Sequence, residues 1–212
     1  MSLAESDDSV NYDGRTMSRE ESAAATRRAL LDQAALLLDG GGLDAVTLRE
    51  VGARAGVSRG APYRHFADKE GLLTAVAAEG WQRLGDHMHR VHAHGEPGSF
   101  GKLRAALIHV ITVSRQQPHL YRLMFSPPAG DPTAVVRAAQ RMCDEFLAIV
   151  ADVAGNDRAE RYAAILLTGV HGAAALEMSG LLHTDKWQTT PEELTDNLLA
   201  LINDADPHAD RN

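Results

Sequence analysis

Between Thr47 and Lys69, five basic side chains stand against two acidic ones, in a chain whose formal net charge is -8. A cationic island on an acidic chain is the pattern of a small surface that holds phosphate, not of a protein that coats polyanions everywhere. Arg59 and Arg64 are its sharpest groups. A guanidinium presents a planar fork that matches guanine O6 and N7 in a major groove, or the oxygens of a phosphate. Gly60 and Ala61 lie between them and are small enough to permit close approach, and an alanine methyl suits a thymine methyl. Thr47 offers a hydroxyl, or the first amides of a helix, to a phosphate. Tyr63, His65 and Lys69 add a phenol, an imidazole and an ammonium, each able to donate to an anion.

Other chemistries are poorly served. The sequence holds no glycine-rich phosphate loop, no His-Glu-x-x-His and no nucleophile elbow, so no catalytic residue and no cofactor are assigned. Gly40-Gly41-Gly42 reads as a helix stop, because no strand precedes it. Cys143 is the single cysteine, which excludes an intrachain disulfide and a cysteine zinc cluster. The tract His87-Met88-His89-Arg90-Val91-His92-Ala93-His94 has a metal-binding residue type. Only Asp86 stands near it in sequence, so it reads as a solvated helix end with no metal.

The elements that must carry these groups are helical. Ser18 and Glu21 form a capping box, followed by Ala25, Ala29, Leu30, Leu36 and Leu37 on one stripe. Leu43 and Val46 follow as apolar plugs. Thr47 and Glu50 form a second capping box opening a short helix to Arg54, Gly56 turns the chain, and Ser58 caps a helix that Phe66 closes. Val51, Val57, Pro62 and Phe66 read as the core that sets the angle between these two helices. Asp68 then caps a longer helix reaching about Arg90. Two short helices joined by a tight turn form a helix-turn-helix, whose second helix, Ser58 to Phe66, is the reading element.

Beyond it, helices are expected over Ser99–Gln116, from Pro118 through the segment HLYRLMF, from Asp131 to about Val153, over Asp157–Met178, and from Pro191 to about Ile202. Ser179–Thr190 reads as a loop. The fold class is therefore all-α, with about nine helices. Expected divisions are tails at 1–17 and 205–212, a reading head at 18–80 and a larger helical body at 81–204. With 44% apolar and 24% charged residues, the 212-residue chain has an ordinary globular composition. Its opening, MSLAESDDSV, is acidic with no apolar core. The longest greasy stretch, Ala163–Leu176, is broken by Thr168, Gly169, His171 and Gly172. A cytoplasmic protein with no membrane partner is expected.

The stretch TLREVGARAGVSRGAPYRHFADKEGLL resembles the DNA-binding head of TetR-family transcriptional regulators. The match runs through Ala53, Gly56, Val57, Ser58, Tyr63, His65, Phe66, Lys69, Glu70, Leu72 and Leu73. Pro62 stands where leucine is commoner, and proline is tolerated in a first helical turn. The resemblance implies that Tyr63, His65 and Lys69 grip phosphates. With Thr47, Ser58, Arg59, Gly60, Ala61 and Arg64 they make up the expected DNA-binding set. LYRLMFSPP and LLTGVHGAAALEMSGLL look like a subgroup with a tryptophan-histidine-glycine motif, here Val170-His171-Gly172.

The family reading implies a homodimer through the last two helices, bound to an inverted-repeat operator in double-stranded DNA. Ala163, Ala164, Gly169, Gly172, Ala173 and Ala174 permit close helix contact, and Ile165, Leu166, Val170 and Leu176 supply burial. It also implies an effector, expected to be an apolar small molecule lined by Tyr121, Met124, Phe125, Met142, Phe146, His171 and Met178. The expected function is a repressor released from its operator by that effector. An activator, or a dimeric ligand-binding protein with a non-functional head, would carry the same fold.

Overall fold

The computed structural model describes residues 18–94, 98–182 and 184–204, and among them the chain forms ten helices and no strand. Both expected tails lie outside the described residues. The first helix, α1 (Arg19–Ala45), opens on the complete Ser18–Glu21 capping box. The expected break in Gly40-Gly41-Gly42 falls at the last of the three, with one further turn beyond it. Helical geometry runs on to Gly41 and breaks at Gly42, whose φ of 68° and ψ of -165° suit glycine alone. The buried face of α1 is Leu30, Leu31, Ala34, Leu37 and Leu38, while Ala25 and Leu36 point outward. Leu43 is likewise exposed, and only Val46 plugs the core.

Two short helices follow, α2 (Leu48–Arg54) and α3 (Ala61–His65). The hydroxyl of Thr47 accepts from the Glu50 amide at 3.1 Å, but the Glu50 carboxylate turns away to Arg54 at 3.0 Å. The second capping box is thus half made. Gly56, at φ 67°, reverses the chain. The reading helix is shorter than its sequence suggests. Ser58 only accepts the Ala61 amide through its carbonyl, and Gly60 occupies the cap with no side-chain bond. Pro62 packs inward on Gly52, where a Cβ would lie 2.6 Å from the proline ring.

The body is built on α4 (Lys69–His94), with Asp68 accepting the Gly71 amide at 2.7 Å. Around it stand α5 (Phe100–Gln116), α6 (Pro118–Met124), α7 (Thr133–Ala154), α8 (Asn156–Met178) and α10 (Pro191–Asp204). A short α9 (Thr184–Trp187) interrupts the expected loop, and the Trp187 indole donates to Leu181 O at 3.1 Å. α7 crosses α4 at Gly85, where a Cβ would make ordinary contact with Met142 Cα at 3.5 Å. One buried cluster runs from Leu30 in α1 to Leu199 in α10, so the head is seated on the body through a shared core.

Candidate functional site

The outer surface of the helix-turn-helix collects several polar side chains that have no carboxylate partner among the described residues. Arg49, Arg59 and Tyr63 line a shallow groove over α2 and α3, floored by Leu48, Gly52, Val57 and Pro62. Around the end of α3, Arg64 and His65 line a second depression with Arg19. Among the described residues, Arg19, Arg49, Arg59 and Arg64 have no carboxylate partner. Tyr63 is 57% exposed, which an aromatic ring accepts at a cost unless something covers it. Thr47, Ser58 and Gly60 are exposed as well. Lys69 is held differently: its ammonium donates to Leu43 O at 2.7 Å, against the end of α1. Ala61 is only 8% exposed, in the depression that Arg64 and His65 line, which leaves its methyl little surface to offer a base.

The body has a cleft beside α6, about 370 Å³, lined by Tyr121, Arg122, Phe125, Ser126, His171, Ala175, Met178 and Ser179. Its rings pack on one another, Phe125 stacked on His171 and Tyr121 tilted against Phe125. Phe125 and His171 lie 4.1 Å apart between centroids at 24°, and Tyr121 and Phe125 lie 4.7 Å apart. The Tyr121 hydroxyl and His171 Nδ1 are joined at 2.8 Å. Burial drives the Tyr121 phenol upward and the His171 imidazole downward from their ordinary pKa values, so both are neutral near neutral pH. A larger cavity, about 710 Å³, lies where head meets body, between Gly41–Asp44, the first turns of α4, and α6. There the His119 ring packs on the Gly42 kink. Arg122 borders both cavities.

Two family models match this architecture. Bacterial regulatory proteins of the tetR family match residues 30–76, and the tetracyclin repressor-like C-terminal domain matches residues 103–202. The chain belongs to the TetR family. It is 28% identical over 187 residues to the HTH-type transcriptional regulator AcrR of Shigella flexneri, covering 82% of this chain and 83% of that protein. A solved structure of a protein of unknown function from Rhodococcus sp. RHA1 superposes with a TM-score of 0.70 at 25% identity, covering 92% of this chain and 98% of the other. SmeT, the repressor of the Stenotrophomonas maltophilia multidrug efflux pump SmeDEF, superposes at 0.59 and 21% identity, over 87% and 92% of the two chains. SmeT has also been solved with triclosan, a structure that superposes at 0.52 and 22% identity, over 85% and 91% of the chains. TetR-family regulators are DNA-binding transcriptional regulators and not enzymes.

In this TetR-family body, the cleft gathers Tyr121, Phe125, His171 and Met178 from the expected lining. It does not gather the others. Met124 is buried in the notch over Gly80, where a Cβ would stand 2.7 Å from its sulfur, and its carbonyl accepts from the Trp81 indole. Met142 is fully buried at the close approach of α7 to Gly85. Phe146 instead borders a small apolar groove between α7 and α8, with Cys143, Leu147 and Ala163. Val170, at the subgroup's tryptophan position, is buried in the α8 core. Sequence reading missed Arg122 and Arg49, which look like any solvated arginine until the fold shows what they border.

The histidine tract has partners that its own stretch of chain does not contain. His87 stacks on His109 of α5, with centroids 3.4 Å apart, and His89 meets Glu145 of α7 at 3.0 Å. His92 lies 3.6 Å from both Glu145 and Asp152, and the buried Lys102 ammonium reaches Asp152 at 3.3 Å. No group of three or more potential ligands is placed to hold a metal among the described residues. No described helix is long and apolar enough to cross a membrane.

Proposed function

We propose that this protein is a cytoplasmic homodimeric repressor, released from an inverted-repeat operator by a small molecule bound in its body. The observation that carries the reading is the set of groups on the outer face of the helix-turn-helix that have no partner among the described residues: Arg49, Arg59, Tyr63 and Arg64. Arg59 precedes α3 in the turn and takes the base-reading role, with Arg64 on a base or phosphate. Thr47, Ser58, Tyr63, His65 and Lys69 position the head on phosphates. The Lys69 ammonium keeps two N–H groups beyond its bond to Leu43. Gly60 leaves room for the backbone to approach. In this reading, residues 18–80 act as the head and 81–204 as the body.

Two further features support the assembly. Facing outward on α8 are Ile165, Gly172 and Leu176, with open space over Gly172, and Leu201 is exposed on α10. The two helices run antiparallel: Arg115 bonds both Glu177 and Glu192, and Leu198 packs on Gly169. That register carries Leu201 toward Ile165, making one apolar strip for a second copy. Inside each copy, α6 links cleft to head. Tyr121 and Phe125 face the cleft, and His119 touches the kink of α1. Occupancy of the cleft then tilts α6 and alters the spacing of the heads. A complete switch from bound to free needs the effector to prefer the released state by ~5.5 kcal/mol.

Selection of bound duplexes from a random DNA library tests the reading directly. One inverted repeat should emerge, with half-site centres about one helical turn, roughly 34–36 Å, or a multiple of it apart. Weak, salt-sensitive binding with no shared sequence would reject it. Arg59→Ala should weaken the selected operator by ~1–3 kcal/mol and relax preference at one base pair.

A further inference from the structure

We propose that the cleft beside α6 takes a small planar aromatic acid. Its ring extends the Phe125–His171 stack, and its carboxylate is held by His171 Nε2–H and the Arg122 guanidinium. The inference rests on reading this cleft as the effector site, and it adds the charge and shape of what enters.

The proton on His171 can be placed from the network. Tyr121 is 1% exposed, and its hydroxyl has one partner among the described residues, His171 Nδ1. A buried phenol hydrogen needs an acceptor, so the hydroxyl donates and Nδ1 accepts. The neutral imidazole then carries its proton on Nε2. That atom has no protein partner among the described residues. Every buried side-chain nitrogen or oxygen described does have one, so Nε2 must reach open space. The open space lined by His171 is the cleft.

The charge of the lining points the same way. Among the described residues no aspartate or glutamate borders the cleft, and one arginine does. Among the described residues Arg122 makes a single long contact, 3.4 Å to Met178 O, and its fork meets no carboxylate. The Ser126 and Ser179 hydroxyls spend their protons on the carbonyls of Arg122 and Leu176. What remains is an imidazole N–H and a guanidinium, a donor pair with no negative charge to satisfy it. Stacked rings and the Met178 thioether favour a flat apolar ligand body. At about 370 Å³ the cleft suits one or two rings, not a long chain.

The test titrates the full-length protein by calorimetry with benzoate, 2-naphthoate, 2-naphthamide, 2-naphthylmethylammonium and decanol. One acid at least should bind, with 2-naphthoate at least about tenfold tighter than its amide and the ammonium weaker still. Arg122→Gln, at an exposed side chain, should erase the acid's advantage over the amide. His171→Phe should keep the stack and lose the same advantage. An amide or ammonium that binds as well as the acid, an acid preference that survives both variants, or no binding by either acid overturns the proposed class. The cleft itself would still stand as the effector site if Phe125→Ala weakens whichever of the amide, the ammonium or decanol binds. If Phe125→Ala changes no probe that binds, the cleft reading fails, and the aromatic acid fails with it.

Discussion

Around α2 and α3, Arg49, Arg59 and Arg64 carry no carboxylate partner among the described residues. In the body, Arg104 holds Asp196, Arg115 holds both Glu177 and Glu192, and Arg141 holds Asp86. The body pairs are structural. Each joins helices far apart in sequence, and the two carboxylates around Arg115 hold its guanidinium well above its usual range. The same bonds hold Glu192 and Asp196 below the ordinary carboxylate range. A chain with 29 acidic residues had ample means to neutralise the head as well. On the function proposed above, the unpaired Arg49, Arg59 and Arg64 of the head await an anion from outside, whereas these three paired arginines of the body serve its packing.

The sharpest way to break this contrast is to disturb the packing that aims the head. Gly52 sits under Pro62, a ring that cannot rotate away, so Gly52→Val must push α2 and α3 apart. Overpacking of this kind costs ~1–3 kcal/mol. Thermal unfolding should show the loss of stability, and operator binding should fall by more than stability alone explains, because Arg49 and Arg59 flank that contact. Retained operator affinity would mean that their relative placement is unimportant.

The body also buries neutral groups that acid should expose. His109 is stacked on His87, and burial, then the positive charge of a protonated His87 and of Arg90, lowers its pKa to about 4. An unfolded histidine titrates near 6.5, so below that pH the unfolded chain binds more protons than the native one. The stabilising contribution is complete above about 6.5 and is lost as the pH falls toward 4. With a ring only half buried, the loss should amount to about 1–2 kcal/mol. His109→Phe keeps an aromatic face and should flatten the fall in unfolding midpoint across that window. An unchanged acid limb would assign the loss to other groups.

Much of the head was legible because its signals are local. Ser18 with Glu21, Thr47, Gly56 and Asp68 act on amides within a few residues, and each marks a real boundary or turn. The start of α3 was misread because Ser58 has the type of a cap, while burial of Ala61 and Pro62 against the rest of the head decides where the helix begins. The body was less legible because its sites are made by distant partners. Met124 and Met142 look like pocket residues until the notch at Gly80 and the crossing of α7 over α4 at Gly85 take them up. The histidine tract looked solvated because Glu145, Asp152 and His109 lie on other helices. Half of the cleft lining could be named from residue type, but Arg122 could not, since only folding shows which side of α6 lacks a carboxylate.

The smallest effects give the cleanest comparison, because they separate an arginine's charge from its position. Arg49→Gln removes a cation that no described residue pairs, so stability should hold. DNA affinity should fall at every sequence alike, and the salt slope should drop by about one if Arg49 meets a phosphate. Arg141→Gln removes a cation of equal charge that is bonded to Asp86 at 2.9 Å, with both side chains about half exposed. An exposed pair is worth ~0.2–1 kcal/mol, so its unfolding midpoint should shift only slightly, and its salt slope on DNA should match the parent. If the two variants weakened DNA equally, net charge alone would govern binding, and the unpaired arginines would have no special claim to the interface. A changed slope for Arg49→Gln and an unchanged one for Arg141→Gln would tie DNA binding to the surface of α2 and α3.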